Sequence, residues 1–183
     1  MNRFKRLIII CIIFNISACS HIPLSNELSG PNISQNYIPD IVLNDLSGNI
    51  KSWPKDSGNL CLATFSFSEE QYQMVQRWHY QFKKIKDNKL INCYYDVPVR
   101  SNSFGLIRSI EHSDINDLVD DYEKRSHTLA LYTNISEFVQ YLGLNDENKP
   151  TAVLFNKNGD ILWSTLNDPS QFELNQLIKA LES

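Results

Sequence analysis

Apolar and polar positions change period several times along this chain, and each change marks an element. "PDIVLNDLSGNIKSW" carries two short apolar stretches around the turn-rich "NDLSGN", which predicts a β-hairpin. "NLCLATFSF" is a nearly continuous apolar run, the pattern of a central strand buried on both faces. The period then lengthens. Tyr72, Val75, Trp78, Phe82 and Ile85 recur every three or four residues and form one stripe of a helix. Ser68 suits its N-cap, and Glu69 and Glu70 suit the positive end of its dipole.

"KLINCYYDVPV" predicts a second buried strand, ended by Pro98. Strand, helix and strand in that order imply a right-handed crossover and a parallel pair. Residues 100–125 read as helix in two pieces, with Ser113 capping "DINDLVDDYEKR". "HTLALYT" predicts a short strand, and "NISEFVQYLGL" a short helix with Phe138, Tyr141 and Leu142 inward. "KPTAVLFNKNGDILWS" predicts a hairpin turning at Asn158-Gly159. "DPSQFELNQLIKALES" closes the chain as an amphipathic helix. The fold class expected from this order is α/β, a mixed central sheet flanked by helices.

The first residues change the picture by fixing a compartment. "MNRFKR" is basic, "LIIICIIF" is apolar but too short to favour a membrane-spanning helix, and "ISACS" supplies small residues, which together predict a secretion leader. Ile16-Ser17-Ala18-Cys19 resembles the lipobox of bacterial lipoproteins, whose cysteine carries the lipid after cleavage. That resemblance implies a leader over 1–18, an acylated Cys19 anchored in a lipid bilayer, and a polar tether over 19–37. The folded domain then occupies 38–183. Ser20 after the cysteine favours the outer membrane, facing the periplasm, in a Gram-negative cell. The formal charge of −4 becomes −7 once Arg3, Lys5 and Arg6 leave with the leader. No basic stripe offsets it, so nucleic acid is not an expected partner.

Candidate chemistry is sparse. Cys11 leaves with the leader and Cys19 takes the lipid, so Cys61 and Cys93 remain as thiols. Both fall inside strands, where a buried thiol has a raised pKa and reacts slowly. The expectation is two structural thiols, with a static disulfide or a redox role as open alternatives. His21, His79, His112 and His127 have no close metal-binding spacing, and no metal or other cofactor is expected. Asp117, Asp120, Asp121 and Glu123 read as a solvated helix face.

The element order, with "KPTAVLFNKNGDILW", resembles the thioredoxin-like superfamily over about residues 38–183. "PDIVLNDLSGN" and "HTLALYTNISEFVQYLGL" look more like its peroxiredoxin and lipoprotein-type branches than minimal thioredoxin. "TFSF…Q…W…F", "RSHTLALYTN" and "GDILW" resemble the mitochondrial ATP synthase assembly factors of that superfamily. The resemblance implies a three-layer sandwich and, at Pro150-Thr151, a cis proline lining a groove. It also places the usual cysteine pair at the turn after the central strand, where this chain has Ser66, Phe67, Ser68, Glu69 and Glu70. A carboxylate or an unactivated hydroxyl cannot exchange with a disulfide. The expected function is therefore a redox-inactive module, with no catalytic residue, that binds or helps assemble a protein client. The alternative is a divergent thiol–disulfide oxidoreductase or peroxidase using Cys61 or Cys93.

Overall fold

The computed structural model describes residues 36–102, 113–119, 121–144 and 147–183. The expected leader, Cys19, almost all of the expected tether and residues 103–112 and 120 of the expected helical stretch lie outside these. The expected hairpin forms from β1 (Ile41–Asn44) and β2 (Ile50–Trp53), antiparallel, with Ile41 opposite Trp53. Asp45 closes its turn by accepting from the Ser47 and Asn49 amides at 2.9 and 2.8 Å, the local bonding that suits Asp to turns. A short 3-10 turn, Lys55–Ser57, leads into β3 (Leu60–Ser66). A second one, Glu69–Gln71, leads into α1 (Tyr72–Asp87).

β3 is central in a five-stranded mixed sheet of order β5-β4-β3-β6-β7. β4 (Cys93–Ser101) lies parallel to β3, β6 (Thr151–Asn156) antiparallel to it. β5 (Leu131–Thr133) runs parallel to β4, and β7 (Ile161–Thr165) antiparallel to β6. Helical residues 113–118 (α2), α3 (Tyr122–His127), α4 (Ile135–Tyr141) and α5 (Gln171–Leu181) complete the described elements. Asn134 caps α4 through the Glu137 amide, and Ser170 caps α5 through the Glu173 amide. The expected α/β sandwich is therefore present.

Alternation along the strands divides the core in two. Leu62 on β3 and Tyr94 on β4 pack with Trp78, Phe82 and Ile85 of α1 and Leu177 of α5. Cys61, Ala63 and Phe65 face the other way, with Tyr95, Val97 and Val99, onto the hairpin residues Ile41, Leu43 and Trp53 and onto Phe138 of α4. Trp53 is held edge-on among Phe65, Tyr95 and Phe155, with ring centroids 5.7, 6.4 and 5.1 Å away. At this contact geometry each aromatic pair adds about 1 kcal/mol beyond its burial.

Three local expectations need correction. Pro98 does not end its strand. It stands opposite Ser66, the last residue of β3, and the pairing with β5 begins one residue later at Val99. The missing N–H thus falls between the isolated Asp96–Thr128 bridge and the start of the β5 ladder at Val99, a break in pairing where a strand tolerates it. Ser113 is already helical, and the stretch after it breaks near residue 119 before Asp121 recaps α3 through the Glu123 amide at 2.8 Å. The expected cis bond before Pro150 is not found. Pro150 is buried directly ahead of β6, and the cis bond among the described residues is Trp53–Pro54, in the reversal after β2.

Candidate redox site

Cys61 and Cys93 occupy opposite positions in the parallel β3–β4 pair, so the register itself brings them together. Their Cα atoms are 4.8 Å apart and the sulfurs are joined as a disulfide, within the spacing such bonds require. Asn92 holds the strand ends in place: its amide donates to the Leu60 carbonyl at 2.8 Å, and its side-chain oxygen accepts from the Leu60 amide at 3.0 Å.

The two sulfurs differ in access. Cys61 has no exposed surface and packs among the aromatic residues of the hairpin side, whereas Cys93 is only partly buried. The loop from Trp53 to Gly58 lies over Cys93, and the Ser57 carbonyl oxygen stands 2.7 Å from its sulfur. Gly58 is required there. Its φ is +80°, and a Cβ would come within 2.7 Å of the Asn92 Cβ. Trp53 Nε1 and Ser57 Oγ on this loop are buried without a hydrogen-bond partner among the described residues. Such orphaned groups are uncommon in folded proteins.

The serine-rich turn is at the other end of β3, five residues from Cys61, or about 17 Å along an extended strand. Ser66 and Phe67 are buried, Ser68 is half-buried, and Glu69 and Glu70 are exposed. The Ser68 side chain makes no capping bond to the helix. It hydrogen-bonds the Glu70 carboxylate instead, and that bond, ahead of the backbone amide, holds Glu70 below its usual pKa. The turn is clamped by Gln71, which sequence reading missed. Its side chain accepts from the Phe67 amide at 2.7 Å and donates to the Glu147 carbonyl at 2.8 Å, tying the turn to the approach to Pro150. Thr151 stands opposite Phe65 in the sheet. The turn and Pro150-Thr151 are therefore neighbours, while the cysteines are elsewhere.

A second polar group escaped the sequence reading. His79 lies buried on α1 with Nδ1 2.6 Å from Asp96 Oδ2, and Thr64 donates to Asp96 Oδ1 at 2.8 Å. The signal was Asp96 itself: a carboxylate inside an apolar strand must find partners. His127 stacks on Tyr94 with ring centroids 4.2 Å apart. Burial, ahead of the Lys86 charge, lowers its pKa.

No protein-family model matches the chain, and no curated protein matches it. Solved structures do. A Neisseria meningitidis protein assigned as a thioredoxin aligns at TM-score 0.51 and 22% identity, over 81% of this chain and 91% of that one. The thioredoxin domain of a thiol-disulfide oxidoreductase from Bacteroides vulgatus aligns at TM-score 0.52 and 16% identity, over 82% and 99%. An exposed lipoprotein thioredoxin of Streptococcus pneumoniae aligns at TM-score 0.51 and 14% identity, over 76% and 98%. At these identities the likeness establishes the fold, which is thioredoxin-like.

The expected redox-inactive binding module is overturned. It rested on the missing cysteine pair at the Ser66–Glu70 turn, and the structure holds a joined pair elsewhere in the fold, Cys61–Cys93. Spacing along the chain had hidden the pair. The two cysteines are 32 residues apart, and only strand register makes them adjacent.

Proposed function

We propose that this thioredoxin-fold chain is a thiol–disulfide oxidoreductase whose redox couple is Cys61–Cys93. The observation that carries the reading is the in-register pair, joined as a disulfide with one sulfur partly accessible. A thiolate of a dithiol client attacks Cys93 Sγ. The S–S bond breaks, and its electron pair goes to Cys61, which takes up a proton. The client's second thiolate then attacks the client sulfur of the mixed disulfide and releases Cys93. Two client thiols become one disulfide, and the two electrons reside on Cys61 and Cys93 as thiols. A reduced dithiol partner drives the same steps backwards.

Cys93 is the attacked sulfur because it is the accessible one. Cys61 leaves into an apolar pocket, where its thiolate is disfavoured. The couple is therefore slower than a pair placed at a helix N-terminus, and it favours the disulfide. The basic-apolar leader and Cys19 support placing the protein on the cell envelope, lipid-anchored, and an envelope compartment is oxidising enough to keep such a bond. The lipoprotein thioredoxin among the structural neighbours is consistent with that placement.

The test compares Cys61→Ser and Cys93→Ser in the full chain, each treated with a small aromatic disulfide under native conditions. The expected result is a mixed disulfide at Cys93 forming at least about tenfold faster than one at Cys61. If neither thiol reacts until the chain is unfolded, the bond is inert and the reading fails.

A further inference from the structure

The column of residues on the α1 side of the sheet ends in a cavity that the redox reading does not use. It lies at the C-terminal ends of β3 and β4, at the opposite end of β3 from the disulfide and on the other face of the sheet. It is a narrow cleft, partly open to solvent. Strand alternation aims Ser66 of β3 and Asp96, Pro98 and Arg100 of β4 into it, and α1 supplies Tyr72, Val75 and Gln76. The facing wall is Ile115, Leu118 and Val119, with Lys124 of α3 beside them. Apolar walls with a few convergent polar groups are the usual form of a small-molecule site.

The charges in the cavity are unequal in their commitments. Asp96 has both oxygens engaged, by Thr64 and by His79, and is almost completely buried. Arg100 donates to the Ser66 and Val99 carbonyls at 3.3 and 3.0 Å. Lys124 is half-buried and donates to the neutral Gln76 side chain at 2.7 Å, and among the described residues it meets no carboxylate at ion-pair distance. Glu69 stands exposed at the mouth, where solvent screens it. A half-buried ammonium beside an apolar wall favours an anion that brings its own apolar surface.

We infer that this cavity binds a small carboxylate with an apolar tail, its carboxylate between Lys124 and Ser66 and its tail against Val75, Pro98, Ile115 and Val119. A phosphate fits less well. It leaves the apolar wall uncovered. The site is independent of the Cys61–Cys93 couple, so either reading can fail without the other.

The test is an amide-resolved NMR titration of the isotope-labelled full chain with hexanoate, methyl hexanoate and inorganic phosphate, repeated on Lys124→Met and Lys124→Arg. The expected result is saturable shifts at Ser66, Gln76 and Lys124 with hexanoate, weakened by about tenfold or more in Lys124→Met and largely restored in Lys124→Arg. Methyl hexanoate, uncharged, should fall with Lys124→Met. Three results overturn the proposal: no saturable shift at these residues, equal binding of the ester or by Lys124→Met, or phosphate binding as tightly as hexanoate.

Discussion

Reducing the Cys61–Cys93 bond removes a cross-link between positions 32 residues apart while leaving the β3–β4 register able to hold both thiols in place. The main change therefore falls on the unfolded chain, which regains the freedom of a closed loop. For a loop of that length the chain-entropy relation gives about 3.7 kcal/mol at 25 °C. By the thermodynamic cycle the fold must favour the disulfide over the dithiol by the same amount. For a two-electron couple this lowers the reduction potential by about 80 mV relative to the unfolded chain. The assay is urea unfolding of the full chain, oxidised and then fully reduced, with glutathione equilibration of native and urea-unfolded protein alongside. The expected outcome is a loss of about 3–4 kcal/mol on reduction and a matching difference in potential. Curves that coincide within about 1 kcal/mol would refute the reasoning, because the cross-link would then constrain nothing the unfolded chain explores.

Three further outcomes follow from named contacts. Asp96→Ala strands Thr64 Oγ1 and His79 Nδ1 inside the α1 face, and urea unfolding should show a loss of about 2–4 kcal/mol, with Asp96→Asn losing less. Gly159 has φ +92°, and an added Cβ would press on the Ile38 carbonyl, so Gly159→Ala should cost about 1–3 kcal/mol in the same assay. Burial, ahead of the charges of Glu123 and Asp96, pushes the Tyr94 phenol up to about 12. The native state thus holds this proton more tightly than the unfolded chain, and the stability it carries is intact below pH 10 and lost between about pH 10 and 12. Ultraviolet titration of the wild type against Tyr94→Phe checks this: the variant should lack the late-ionising phenol and part of the alkaline destabilisation.

Where one period ruled a segment, the sequence was legible. The α1 stripe, the run of β3 and the Asn158-Gly159 hairpin each follow from local sterics and side-chain spacing, and each stands where expected. Pro98 misled because a proline costs a strand only when its missing N–H faces a paired partner, and gaps in a ladder are set by the sheet, not the segment. The redox site was the least legible part. Cys61 and Cys93 were each placed correctly in a strand, but whether they meet depends on a register fixed by every other pair along β3 and β4. The turn at Ser66–Glu70 drew attention because the superfamily resemblance puts the usual cysteine pair there, and Ser66, Ser68 and Glu69 instead border a cavity. Asp96 was readable in principle, as a lone carboxylate in an apolar run, yet its partner His79 comes from another element.

The account stands most directly on whether Cys61–Cys93 cycles between disulfide and dithiol in the folded protein. Alkylation and intact-mass measurement of the full chain across a graded series of oxidised and reduced dithiothreitol tests it. The account predicts a reversible two-electron transition without denaturant, with the folded spectrum kept at both ends. A disulfide that stays closed at every ratio until the chain is unfolded would contradict it.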